Sequence, residues 1–190
     1  MVSRRDAALN LAALLRHTPG ADDEVSAEGV LEPDAEVLRE HGLRLAEPLH
    51  WSLQVLNAGG DDDFVVTGEV HGTTLLECRR CLTDVASAVS TRIVYPMRYR
   101  PGDATVVRLA EDDDGADDVL EFAQPIVDFA PLLVQAFAID QPLTALCRED
   151  CKGLSIDGVN LNEHPDHVPD ADASEREKRS PFDALKDIDL

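Results

Sequence analysis

The four cysteines of this chain come as two close pairs: Cys78 and Cys81 in ECRRC, and Cys147 and Cys151 in CREDC. A single tight turn can aim both sulfurs of such a pair at one point. Two pairs brought together supply four thiolates, the closed tetrahedral shell of a structural zinc ion. That requirement constrains the fold strongly, because two distant segments must meet. A closed shell organises a fold and leaves no position for a substrate. The spacing therefore points to a binding protein held together by zinc through Cys78, Cys81, Cys147 and Cys151.

Charge narrows the partners. The formal net charge is -21 over 190 residues. A field of that sign opposes non-specific nucleic-acid binding, which rests on neutralising phosphates with Lys and Arg. It favours a basic partner. Solubility alone is the plainer account of the same acidity. Arg79 and Arg80, between the first two thiols, are a candidate local basic patch with Arg92, Arg98 and Arg100. Ordinary pairing with Asp and Glu is the alternative.

The amino-terminal run has an Arg pair and apolar residues, but Asp6, Asn10 and Arg16 interrupt it. It reads as an amphipathic helix over 4–16, capped by Ser3 and stopped at Pro19-Gly20, and not as a signal peptide. With no apolar run of eighteen residues, no membrane span is expected. A cytoplasmic location follows, where close cysteine pairs serve metals more often than disulfides.

The rest divides into a domain over 25–162, preceded by the helix and link of 1–24, and a flexible acidic tail over 163–190. The tail ends in a short helix carrying Phe182, Leu185 and Ile188. Within the domain, 25–32 reads as a strand and Pro33–His41 as a helical turn ended by Gly42. Period-two alternation marks strands over 50–57, 63–70 and 73–78, the last two separated by His71-Gly72. A long β segment follows over 84–100, in which Pro96 implies an edge or bulge. The EDDDGADD run is a charged loop, and 119–122 is a short strand candidate. Asp128 then caps an almost wholly apolar helix, FAPLLVQAFAI, expected to lie buried under the sheet with Phe129, Leu132, Leu133, Ala136, Phe137 and Ile139. The fold class is α+β: an antiparallel sheet, open or barrel-like, with one central apolar helix on it. One cysteine knuckle hangs from the sheet and the other from the end of the helix, so that zinc joins them.

A thiol-redox site at Cys78 and Cys81 is the first competitor. A redox CxxC usually opens a helix, which lowers the first thiol's pKa; here LTDVASAVS reads as a strand. His164 and His167 lie near the second pair as further ligand candidates. His50 and His71 lie near strand ends with no evident carboxylate partner. No nucleophile elbow, phosphate-cradling loop or paired-carboxylate signature appears, and no calcium loop of EF-hand spacing. An rRNA-processing nuclease would need a carboxylate cluster in a cleft, which these patterns do not locate.

TGEVHGTTLLECRRCL, the β segment, and DFAPLLVQAFAIDQPLTALCREDCKGL followed by NLN together resemble the YceD family of large ribosomal RNA subunit accumulation proteins. The resemblance runs over about residues 25–162, and CRRCL (78–82), LCREDCKGL (146–154) and NLN (160–162) carry it. It implies a non-catalytic, cytoplasmic ribosome-biogenesis factor supporting large-subunit rRNA accumulation. The implied partner is a ribosomal protein of the large subunit, such as a small zinc-containing one, or a pre-ribosomal particle. Contact with rRNA is a further option. Many relatives carry another CxxC before NLN. This chain has Ser155 where a cysteine is common, and the next one is missing.

Overall fold

The structure is a computed structural model that describes residues 6–16, 24–59, 62–103, 107–110 and 119–169. The expected Ser3 cap, Pro19-Gly20 stop, acidic run over 111–118 and terminal helix all lie outside the described residues. The chain forms two compact units, Met1–Leu75 with Ala86–Pro142, and Leu76–Val85 with Leu143–Leu190.

The first unit is built on an open six-stranded sheet. Its strands are β2 (Glu24–Leu31), β3 (Leu49–Asn57), β4 (Asp63–Glu77), β5 (Asp84–Tyr99), β6 (Arg108–Ala110) and β7 (Val119–Phe122), in the order β2-β3-β4-β5-β7-β6. β4 and β5 also carry a few residues of the second unit at their connected ends. The β2–β3 and β3–β4 ladders are antiparallel, but β5 and β7 pair in parallel. The sheet is therefore mixed and not wholly antiparallel, and it does not close into a barrel. Pro96 lies just outside the parallel ladder, which begins at Met97. Its missing N–H costs that ladder nothing.

Alternation works as the sequence suggests. Leu49, Trp51, Leu53 and Val55 of β3 are buried, as are Phe64, Val66 and Val70 of β4. The expected break at His71-Gly72 does not occur, and β4 runs through it. A Cβ on Gly72 would lie 2.8 Å from Leu49 Cδ2 and 3.6 Å from the Phe137 ring. The glycine thus makes room for close packing inside a strand and does not turn the chain.

Helix α3 (Ala130–Ile139) buries Leu132, Leu133, Val134 and Phe137. Asp128 does its capping from one residue further out, accepting the Ala130 N–H at 2.9 Å. Pro131, Gln135 and Ile139 form an exposed stripe, and Ile139 is 71% exposed, against the expectation that it joins the core.

The amino-terminal helix is also corrected. Residues Ala8–Asn10 form a strand (β1) paired antiparallel with β8 (Ile126–Asp128), and only Ala12–Leu15 are helical (α1). Leu9 and Leu11, two apart, suit a strand as well as a helix. Pairing with β8 selects the strand, and Asn10 adds a local contribution: its Oδ1 takes the Ala12 N–H at 3.0 Å, which competes with helical bonding. The helical turn after Pro33 is α2 (Ala35–Glu40), closed by Gly42 at φ 63°. Among the described residues no helix is long and apolar enough to cross a membrane.

Candidate metal centre

All four cysteines fall in the second unit. The first pair sits in the connection between β4 and β5. There the Cys78 N–H reaches the Thr83 carbonyl and the Leu82 N–H reaches the Cys78 carbonyl, each at 2.8 Å. Leu82 closes this turn at φ 60°, the one non-glycine residue with positive φ among those described. Such a conformation strains a branched side chain. The second pair follows α3. Cys78 forms an isolated parallel bridge with Ala145, and the Arg79 N–H meets the Ala145 carbonyl at 3.0 Å. That bridge aligns the two turns.

The four sulfurs lie within 4.8 Å of one another. Cys78 Sγ is 3.8 Å from Cys151 Sγ, and Cys81 Sγ is 3.6 Å from Cys147 Sγ. All four thiols are free. A disulfide would need about 2.05 Å. A tetrahedron with zinc–sulfur bonds of about 2.3 Å has edges of about 3.8 Å, so the observed spacing fits that ion. Cys78, Cys81 and Cys151 are buried; Cys147 is exposed as a residue, though its sulfur faces the other three.

The protonation pattern adds a second test of fit. The backbone N–H of Cys147 is the main influence lowering Cys78, to about 6, and burial opposes it. Cys81 is lowered first by the Thr83 hydroxyl, 3.0 Å from its sulfur. Cys147 is pushed up to about 12, by desolvation first and then by the sulfurs of Cys151, Cys81 and Cys78. Four clustered sulfurs cannot all hold negative charge unaided. A divalent cation removes that obstacle, and its binding releases the remaining protons.

Neighbouring groups complete the site. Arg80 donates through Nη1 to the Cys151 carbonyl at 3.0 Å and the Glu149 carbonyl at 3.2 Å. Its guanidinium therefore braces the second turn; Arg79 and Arg80 are both exposed as residues. Gly153 adopts φ 81°, and a Cβ there would lie 3.1 Å from the Arg80 carbonyl. His167 does not join the sulfurs but pairs with Asp157 at 2.6 Å. Asp157 is held below the usual carboxylate range, first by the Ser155 hydroxyl and then by His167. Ser155 Oγ also accepts the Val159 N–H at 3.0 Å, so it shapes the turn there.

Elsewhere, in the first unit, Arg98 pairs with Asp63 at 3.3 Å and Arg100 pairs with Glu121. His50 and His71 face each other across β3 and β4 with stacked rings 5.4 Å apart. His71 Nδ1 lies 4.0 Å from Glu69 Oε1, a carboxylate neighbour two positions away on the same strand face. Thr83, Asn162 and the bracing role of Arg80 were not found from the sequence. Asn162 had a visible signal, its place in NLN, but the spacing alone assigns it no task.

Comparison with known proteins decides the family. The family model described as "Large ribosomal RNA subunit accumulation protein YceD" matches residues 66–189, which include all four cysteines. The chain belongs to the YceD family. An uncharacterized protein of Mycobacterium tuberculosis is 35% identical over 106 residues, covering 54% of this chain and 47% of that relative. An uncharacterized protein of Mycobacterium leprae is 33% identical over 126 residues, covering 65% of this chain and 54% of that relative. The chain thus spans about half the length of the curated relatives it matches. No solved structure matches it.

Proposed function

We propose that this YceD-family chain is a non-catalytic factor in large-subunit ribosome biogenesis, held in shape by a structural zinc ion. The family description carries the biological half of this reading. The four converging sulfurs carry the physical half. Cys78, Cys81, Cys147 and Cys151 would hold the ion, which supplies cross-linking and charge neutralisation when bound. With four protein ligands no position stays open for a substrate, and that supports scaffolding over turnover. The ion would pin the β4–β5 connection to the segment that follows α3.

The partner is a basic ribosomal protein of the large subunit, or the assembling particle that contains it, in the cytoplasm. The net charge of -21 supports this choice over non-specific nucleic acid. So do the recesses of about 440 and 390 Å³ on the first unit, which meet at His71. Glu47 and Glu69 line one and Glu28 the other, and among the described residues neither is lined by Lys or Arg. Of the arginines considered as a patch, Arg80, Arg98 and Arg100 are engaged with carbonyls or carboxylates.

A thiol-redox protein is the second reading, and the lowered Cys78 thiol favours it. Against it, Cys78 and Cys81 are 0% and 4% exposed, whereas redox cysteines sit where a partner thiol can reach.

Sucrose-gradient fractionation of tagged protein tests the main reading. Comigration with a large-subunit precursor, and reduced large-subunit rRNA on deletion, are the expected results. Confinement to the free pool with normal rRNA would overturn it. Metal analysis of protein purified without chelator separates the two readings. One zinc per chain favours the first, and a reversible Cys78–Cys81 disulfide without metal favours the second.

A further inference from the structure

Asn160-Leu161-Asn162 contains no thiol and no cation, yet the chain folds back to bring it against the second cysteine pair. After Cys151 the backbone turns at Gly153, and Leu154 then bridges antiparallel to Asn160. The reversal between them is closed by the Ser155 N–H on the Val159 carbonyl at 2.8 Å, with Gly158 at φ 85°. The Leu161 N–H then reaches the Gly153 carbonyl at 2.9 Å. This path delivers the Asn162 side chain to Cys151.

Its orientation there is dictated by neighbours. Asn162 Oδ1 receives the Lys152 backbone N–H at 2.9 Å and Arg148 Nη2 at 2.6 Å. Both partners are donors only, so the atom facing them must be the oxygen. The amide nitrogen is left facing the other way. It lies 3.2 Å from Cys151 Sγ and 2.9 Å from Asn160 Oδ1, an acceptor that suits it. Asn160 Oδ1 also takes the Asn162 backbone N–H at 3.0 Å, which fixes the turn.

We infer that Asn162 is a positioning residue of the metal centre: its carboxamide clamps the Cys151 turn and donates an N–H···S hydrogen bond to the Cys151 sulfur. This rests on the structural-metal reading above. A donor aimed at a thiolate stabilises its negative charge and fixes the direction of its lone pairs. Outer groups of this kind typically govern metal affinity by about 10- to 100-fold. Asn160-Leu161-Asn162 thereby gains a physical task, in which Asn160 sets the turn and Asn162 reaches the sulfur.

Two variants of the full chain separate the clamp from the sulfur bond. Asn162→Asp keeps an oxygen toward Lys152 and Arg148 but replaces the donor with a carboxylate oxygen. Asn162→Ala removes both functions. Zinc affinity is read by competition with a chromophoric chelator, and the sulfur environment by the thiolate-to-metal absorption of the cobalt-loaded protein. Asn162→Asp is expected to lower zinc affinity by about 10- to 100-fold and to shift the cobalt band. Asn162→Ala should weaken binding at least as much, with the melting of the sheet unit unchanged in both. Wild-type affinity and an unshifted band in Asn162→Asp would overturn the inference and leave the metal reading standing. So would a loss confined to Asn162→Ala, which would reduce the residue to a turn brace. A wild-type chain that takes up neither zinc nor cobalt would overturn the metal reading, and this inference with it.

Discussion

In the sheet unit the buried apolar side chains are mainly Leu, Val and Phe, with Ala7, Trp51, Ile93 and Met97, packed as one continuous cluster. In the cysteine unit the buried cluster is Cys78, Cys81 and Cys151, with Val85, Leu146 and Leu154 only partly covered around it. The first unit removes enough apolar surface from water to fold on that account. Among the described residues the second has only a small core, and a cross-link through its four sulfurs would supply what that core lacks. Small units commonly rely on a metal or disulfides for this reason. On the proposed function one chain draws on two sources of stability, and each should fail under a different insult.

The largest expected effect comes from removing the cross-link. Chelation, or Cys78→Ser, should abolish hydrogen-exchange protection around 76–85 and 143–162 while β2, β3 and the centre of β4 stay protected. Structural zinc contributes on the order of 10 kcal/mol in small metal-dependent units, so the loss should be complete and not graded. Uniform loss across both units would break the comparison. The converse insult is Phe137→Ala in the sheet unit, where the ring is fully buried. A cost of about 3–5 kcal/mol is expected in denaturant unfolding. Zinc content should remain at one per chain.

Backbone fit gives a smaller effect. Gly153→Ala would place a Cβ 3.1 Å from the Arg80 carbonyl at φ 81°. The left-handed conformation alone costs about 1–2 kcal/mol for a side-chain-bearing residue. Chelator competition should register it as weaker zinc retention, with the sheet unit's unfolding midpoint unmoved.

The smallest effect concerns Asp157. Its folded carboxyl is held below its ordinary value by Ser155 and His167. A lowered carboxyl stabilises the fold above the unfolded pKa, and that contribution disappears as pH falls through the folded value. Asp157→Asn should therefore melt below wild type near neutrality, and the two curves should converge in acid. A gap that persists in acid would assign the loss to the turn's shape and not to charge.

Much of this was legible beforehand because it rests on period and spacing. Alternation located β3 and β4, Gly42 marked the end of α2, and the paired cysteines signalled their convergence. The failures have a common cause. Gly72 reads locally as a breaker, but its missing side chain serves packing against Leu49 and Phe137, which are distant in sequence. Leu9 and Leu11 fit two periods, and pairing with β8 chose between them. The parallel pairing of β5 with β7 leaves no local mark at all. At the sulfur cluster, the four cysteines were readable from spacing, but Thr83, Arg80 and Asn162 act through contacts that only the folded turns create.

The sheet is open, so it has rims. One is β2, whose outermost strand exposes Glu24, Ser26 and Glu28. Two copies approaching rim to rim would bring like carboxylates together, which disfavours strand-by-strand stacking. Stripping the metal should accordingly yield a partly unravelled monomer, recoverable by adding the ion back, and not a fibrous precipitate.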